Sequence, residues 1–338
     1  MENNVNLKEL NTFGIEVFAQ EFEILNSKEE AIHFFQTQDL EKKQFFILGG
    51  GSNLLLTEDF EGIVIQNKLK GFEVIEENAD FIVLKVGAGE NWHKFVLQCI
   101  DKGYAGVENL SLIPGNVGAS PMQNIGAYGV EVKDLITEVE TISVSTGEVQ
   151  VFSNEECNFD YRSSIFKTTH KNQYFISSVN FKLSKKSEFN VSYGAIKSQL
   201  EHDGIELESL TIKAISDAVI AIRNSKLPDP SEIGNSGSFF KNPVVTKEFF
   251  EKLKNQFRDM PAYKLPKGDY KLAAGWLIEK TGWKGYTEGN YGVHKKQALV
   301  LVNYGGASGL EIYDLSERIL LSVKDKFGVR LEREVNIM

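Results

Sequence analysis

Residues 234–243 read Gly-Asn-Ser-Gly-Ser-Phe-Phe-Lys-Asn-Pro, a run that gathers several groups able to do chemistry. Small residues precede Ser238, two aromatics follow it, and Lys241 and Asn242 come next. Such a run can present a hydroxyl in a tight pocket beside cationic and amide donors; a turn leading into a strand would use the same residues. No Gly-x-Ser-x-Gly elbow surrounds Ser238, which disfavours a hydrolase nucleophile. Gly49, Gly50, Gly51, Ser52 and Asn53 offer different chemistry. Consecutive glycines let backbone N–H groups converge on an anion, and Ser52 and Asn53 add donors, so a pyrophosphate is a natural guest. A tight structural turn is the competing reading. A long glycine-rich stretch with few charges carries Ile113, Pro114, Gly118, Ser120, Asn124, Gly126 and Tyr128. It can press its backbone against a large flat ligand, and loops of this length in compact domains are usually functional or disordered. Arg162 stands among hydroxyl and apolar neighbours, where a surface salt bridge is the plain expectation. Arg223, Lys226, Lys241, Lys271 and Lys284 fall within one region, a concentration that suits a phosphorylated ligand.

The elements that must position these groups follow from periodicity. Residues 44–48, 62–65 and 81–86 read as buried strands, the first stopped by the glycine triplet. Trp92, Phe95, Val96, Cys99 and Ile100 form a helical stripe that Gly103 stops. Gly87-Ala88-Gly89 lies between strand and helix like a dinucleotide fingerprint. The third glycine position is Trp92, too large for close helix packing, and the Rossmann reading is rejected. A second helix is expected over residues 212–225, with Thr211 as N-cap. It stops at Leu227-Pro228-Asp229-Pro230, the expected domain joint. A last helix opens on Ser308 and Glu311 spaced as a capping box and ends near Gly328. Residues 329–338 alternate apolar and polar and read as a strand with one polar face.

A chain of 338 residues suggests two or three domains. Its net charge of −10 argues against a nucleic-acid partner, which would need basic faces. Two cysteines, Cys99 and Cys157, are no disulfide scaffold and read as buried thiols. The five histidines show no metal-ligand spacing, so no metal is assigned. The start has neither a basic nor an apolar region, and no run approaches the roughly 20 apolar residues of a membrane span. A cytoplasmic protein with no membrane partner is expected.

Together the motifs resemble one family, the UDP-N-acetylenolpyruvoylglucosamine reductases. The matching pieces are Asn11-Thr12-Phe13-Gly14 and residues 48–53, 86–93, 123–129, 161–167, 226–230, 237–243, 273–278 and 331–335, in order along the chain. The resemblance implies an α+β fold: a two-subdomain FAD-binding unit of the vanillyl-alcohol-oxidase (PCMH) type plus a separate α/β substrate-binding domain. Residues 1–66 with 327–338 would form FAD-binding subdomain 1, residues 67–226 subdomain 2, and residues 227–326 the substrate domain. The segment 184–210 with Tyr193, and the loop with Tyr263, look like the longer of the family's two forms.

The resemblance also implies roles. Ser238 matches the serine that protonates the substrate; Arg162 and Glu334 match the pair that stabilises the charged intermediate. Gly49 to Asn53 match the flavin pyrophosphate loop, and the stretch from Ile113 to Tyr128 the rest of a non-covalent FAD site. Tyr193, Arg223, Lys226, Asn242, Tyr263, Lys271, Lys284 and Gln297 fall to the UDP-sugar or NADPH site. A monomer is expected. Two positions depart from the pattern: Arg333 stands where relatives often have proline, and Asn336 where some have arginine. Glu334 must be protonated or held so as to orient other groups, since an ionised carboxylate would repel the developing anion. An FAD oxidase that tethers its flavin through histidine or cysteine is disfavoured, because neither occurs between Phe45 and Phe60.

Overall fold

A computed structural model describes residues 1–338. The chain divides into two compact units: Met1–Val5, Ala19–Gly50 and Glu61–Ser225 form unit 1, and Asn6–Phe18, Gly51–Phe60 and Lys226–Met338 form unit 2. Residues 6–18 and 51–60, expected with the first flavin subdomain, thus pack with the C-terminal part. The reason is backbone pairing: Thr12 N donates to Gly51 O at 3.1 Å, and Asn235 N to Thr12 O at 2.9 Å.

Unit 1 contains two large sheets, a two-stranded sheet of Gly126–Ala127 with Val130–Glu131, and four α-helices. The four-stranded sheet runs Glu2–Asn6, Phe18–Leu25, Phe60–Asn67, Phe45–Leu48. Its last two strands are parallel, with Phe45 opposite Ile63 and Leu48 opposite Gln66. Helix α1 (Lys28–Thr37) starts at Ser27, whose side chain accepts from Glu30 N, and buries Phe34 and Phe35. The five-stranded sheet is antiparallel throughout, in the order Val149–Ser153, Ile136–Ser143, Tyr174–Ser184, Phe81–Gly87, Phe72–Glu77. The strand Tyr174–Ser184 is buried on both faces because it separates two cores. Phe175 packs with α1, while Val179, Phe181 and Leu183 pack beneath helix α2 (Trp92–Asp101). The apolar stripe foreseen for α2 is buried residue for residue. At the seam between sheet and α1, burial opposes the charge on Glu140, yet hydrogen bonds from Lys28, Lys85 and Ser177 outweigh it and hold the pKa down at about 2.

Helices α3 (Gly194–His202) and α4 (Ile212–Lys226) build a third core from Ile196, Leu200, Ile215, Val219 and Ile222. Thr211 caps α4 as expected, its hydroxyl accepting from Ala214 N at 3.0 Å. Both cysteines are buried free thiols, with burial pushing Cys157 up to about 12 and Cys99 further.

Unit 2 holds helices α5 (Lys247–Gln256), α6 (Ala274–Lys280) and α7 (Gly309–Phe327) around short sheets. The capping box of Ser308 and Glu311 is formed, and Gly328 closes α7 in the left-handed conformation at φ 68°. The segment 329–338 keeps its alternating burial but is not one strand. Its pairing is split: Arg333 bridges to Phe240, and only Asn336–Ile337 form a strand, parallel to Leu54–Leu55. No helix is long and apolar enough to cross a membrane.

Candidate active site

In unit 1, three glycine-rich segments converge by backbone contact. A Cβ on Gly50 would lie 2.9 Å from Gly115 Cα, and one on Gly118 would lie 2.6 Å from Ala88 Cβ. Hydrogen bonds stitch the segments together: Trp92 N to Gly115 O at 3.0 Å, Val117 N to Glu90 O at 2.8 Å and Gly118 N to Ala88 O at 2.8 Å. The glycines of 87–89 serve a different contact, with residues 68–71: a Cβ on Gly89 would lie 2.5 Å from the Lys68 carbonyl carbon, and one on Gly87 would lie 2.6 Å from Leu69 O. Beyond the loop, Asn124 is buried at φ 44°. Its amide donates to Glu131 Oε2 and Asp160 O, both at 3.1 Å, and its Oδ1 accepts from Lys133 N.

Arg162 sits on this stretch in a left-handed conformation of its own, at φ 52°. Its Nη1 donates to Asn124 O at 3.3 Å and its Nη2 to Gly126 O at 2.6 Å. A guanidinium anchored on two carbonyls is fixed in space, as bidentate capture of a carboxylate requires. Tyr128, Tyr193 and Arg223 also come together. Tyr193 is exposed and meets Tyr128 edge-on at 5.3 Å. Burial raises the Tyr128 pKa and lowers that of Arg223, and a hydrogen bond between the two opposes both shifts.

The residues of unit 1 fit a flavin dinucleotide on two observations. The cradle has no room for side chains at Gly50 or Gly118, leaving backbone groups to face a ligand. Ser120, within the same stretch, has a buried Oγ with no hydrogen-bond partner in the chain.

In unit 2, Ser238 is half-buried at the end of a turn set by Asn235. The Asn235 Oδ1 accepts from Gly237 N at 2.9 Å, and Gly237 takes φ 69°. The segment then runs between two neighbours. Phe239 N donates to Leu299 O, Glu334 N to Phe239 O (both 2.8 Å), and Lys241 N to Glu332 O at 2.9 Å. Buried Phe239 and Phe240 anchor it. Glu334 therefore lies beside the Ser238 segment, and Asn53 joins them, its Nδ2 donating to Glu334 O at 3.3 Å. The departures from the family pattern have local partners. Asn336 donates to Asn53 O at 3.0 Å; Arg333 donates to Ser316 Oγ at 2.8 Å, pairs with Glu317 and lies over the Tyr313 ring.

Tyr263 and Lys271 are cross-strand partners in a small sheet, and Tyr263 is exposed. Asn242 Oδ1 accepts from Ala274 N at 2.9 Å at the start of α6, and Gln297 Oε1 accepts from Leu299 N at 3.3 Å. Lys284 pairs with Glu279 at 3.0 Å, and Lys226 is exposed. The unit also buries His294, whose Nδ1 has no partner and whose pKa is lowered by burial and by Lys296 and Lys295. No group of three or more His, Cys, Asp or Glu side chains gathers as a metal site.

Sequence reasoning assigned no role to His93, Leu112 or Asn109. His93 Nδ1 accepts from Leu112 N at 3.0 Å, and Asn109 Nδ2 donates to Tyr128 O at 3.2 Å. The available signal was His93 directly after Trp92, in a position that a helix N-terminus turns toward the following loop.

Comparison with known proteins agrees with this geometry. Residues 23–153 match an FAD binding domain, and residues 229–338 match the C-terminal domain of UDP-N-acetylenolpyruvoylglucosamine reductase. The chain is 50% identical over 339 residues to the UDP-N-acetylenolpyruvoylglucosamine reductase of Flavobacterium johnsoniae, covering 100% of this chain and 99% of that one. It is 48% identical over 338 residues to the enzyme of that name from Amoebophilus asiaticus, with coverage of 100% and 99%. The fold resembles the crystal structure of the Thermus caldophilus enzyme, with a TM-score of 0.68 at 21% identity over 99% of this chain and 98% of that one. The chain is thus an FAD-dependent oxidoreductase, and it belongs to the UDP-N-acetylenolpyruvoylglucosamine reductase family.

Proposed function

We propose that this chain reduces the enolpyruvyl group of UDP-N-acetylglucosamine enolpyruvate to UDP-N-acetylmuramate, with NADPH as electron donor, in peptidoglycan precursor synthesis. The observation that carries this reading furthest is the Arg162 guanidinium held on the Asn124 and Gly126 carbonyls of the glycine-rich stretch. FAD held by residues 49–53 and 113–128 would supply the hydride chemistry between NADPH and the alkene, and one proton would complete the product. Negative charge developing in the substrate carboxylate is stabilised by Arg162, with Glu334 protonated or orienting its neighbours. Ser238 delivers the proton to the remaining carbon. Residues 49–53 and 113–128 hold the flavin. Tyr193 and Arg223 of unit 1, and Lys226, Asn242, Tyr263, Lys271, Lys284 and Gln297 of unit 2, serve the two anionic ligands, which take turns. On this reading residues 1–66 with 327–338 and residues 67–226 are the flavin subdomains, residues 227–326 bind substrate, and the enzyme works as a cytoplasmic monomer.

The test is an absorbance spectrum followed by anaerobic NADPH titration and addition of the enolpyruvyl sugar. The purified protein is expected to be yellow, to bleach with NADPH and to recover colour with the sugar. Acid precipitation should release the flavin into the supernatant; flavin kept in the pellet would mean a covalent tether, and no bleaching would reject NADPH as donor.

Lys226→Ala tests the ligand site separately from the flavin site. Charged hydrogen bonds contribute about 1.5–3 kcal/mol, so Michaelis constants for NADPH and the UDP-sugar should rise about 10- to 100-fold with FAD retained. Unchanged constants for both would remove Lys226 from the site.

A further inference from the structure

We propose that His93 and Arg223 clamp Leu112 in a left-handed backbone conformation and so set the entry of the flavin stretch, which makes both positioning residues for FAD. Leu112 has φ 59°, a region that leucine enters only when its surroundings hold it there. Both peptide groups of Leu112 are held by side chains. Its N–H donates to His93 Nδ1 at 3.0 Å, from the first turn of α2. Its carbonyl accepts from Arg223 Nε at 3.2 Å, from the last turns of α4. Three residues on, Gly115 O accepts from Trp92 N at 3.0 Å. The arc 112–115 is thus tied at both ends to the start of α2, and it leads directly to Gly118 and Ser120.

The His93 bond requires a neutral ring with its proton on Nε2, because Nδ1 acts as acceptor. Burial, then the Arg223 charge, lowers the His93 pKa and favours that state. Arg223 meets Tyr128 as well, so one guanidinium braces the stretch at Leu112 and near its far end. Without the clamp, Leu112 can relax to negative φ, and the chain between it and the pinned Gly115 carbonyl must move with it. Glycine takes positive φ at no steric cost, so a glycine at this position needs no clamp.

The inference rests on the FAD reading, and the experiment separates the two. FAD affinity of the stripped protein is measured by flavin fluorescence in a cycle of His93→Ala, Leu112→Gly and the double variant. His93→Ala is expected to weaken FAD binding about 10- to 100-fold. In the Leu112→Gly background the same change should cost little, because the conformation no longer needs holding. His93→Asn, whose side-chain oxygen can accept the Leu112 N–H, should keep most of the affinity. Hydrogen exchange at the Leu112 amide should speed up in His93→Ala and not in His93→Asn. Equal losses in both backgrounds, or no loss in either, would overturn the clamp. Should His93→Ala fail to fold, Arg223→Lys, which lacks the Nε donor, carries the same cycle. A parent protein that binds no FAD would instead sink the FAD reading.

Discussion

Ser238→Ala is expected to bind FAD normally and to pass the NADPH half-reaction at a near-normal rate, while the half-reaction with the enolpyruvyl sugar slows by about 10²–10⁴-fold. The proton is needed only after hydride has reached the substrate, so a proton donor affects only that half of the cycle. The turn that presents Ser238 does not depend on its hydroxyl. Asn235 bonds Gly237 N, and Phe239 N is held by Leu299 O, so alanine at 238 leaves both contacts in place. Ser238→Cys should recover part of the rate, since a thiol can also donate a proton. Stopped-flow recording of flavin absorbance in each half-reaction is the measurement. Equal slowing of both halves would make Ser238 a general binding or structural group. No change in either would mean that another group, or water, supplies the proton.

Gly51→Ala is expected to be strongly destabilising, and Gly14→Ala is its control. Both glycines lie in unit 2 with nearly the same backbone, φ 63° and φ 64°. A side chain at either meets the left-handed penalty of about 1–2 kcal/mol. At Gly14 nothing lies within 4 Å of the added carbon, so that penalty is the whole cost. At Gly51 the carbon would stand 2.0 Å from Leu10 O and 2.9 Å from Asn11 Cα. The backbone must yield, and it is pinned: Gly51 O accepts from Thr12 N, and the Asn11 amide ties the same loop to Leu7 O and Ile15 O. Overpacking of this kind adds about 1–3 kcal/mol or more. Urea unfolding of the two variants should therefore separate clearly, with Gly51→Ala the weaker. Coincident midpoints would show that the loop yields freely and that the glycine triplet is softer than its contacts indicate.

Much of this architecture was legible in the chain. The α2 stripe from Trp92 to Ile100, the Thr211 cap and the capping box at Ser308 are local, and local signals survive folding because neighbouring residues carry them. The family resemblance rested on motifs that are likewise short and contiguous. What was not legible depends on distant partners. The segment 329–338 has a strand's alternation, yet it shares its hydrogen bonds between Phe240 and Leu54–Leu55, and no periodicity records where a partner lies. Residues 6–18 and 51–60 are joined to the C-terminal part through Thr12 and Asn235, and no local pattern in either segment records that pairing. Arg162 read alone as a surface salt bridge. Its placement came from the carbonyls of Asn124 and Gly126, more than thirty residues away in sequence. Leu112 gave no sign of a positive φ, because leucine does not advertise one.

The pairing of Asn336–Ile337 with Leu54–Leu55 has a consequence for how the protein is made. Asn336 reaches Asn53 O across 283 residues of chain. At about 5–20 residues per second, a ribosome delivers that partner roughly 15–60 s after Leu54 has emerged. Most of unit 1 draws on residues up to Ser225 and can begin to assemble while synthesis continues. Leu54, Leu55 and Leu56, all buried in the finished fold, must wait with an unpaired strand edge. The nascent chain thus carries an apolar segment without its β-partner through most of its synthesis.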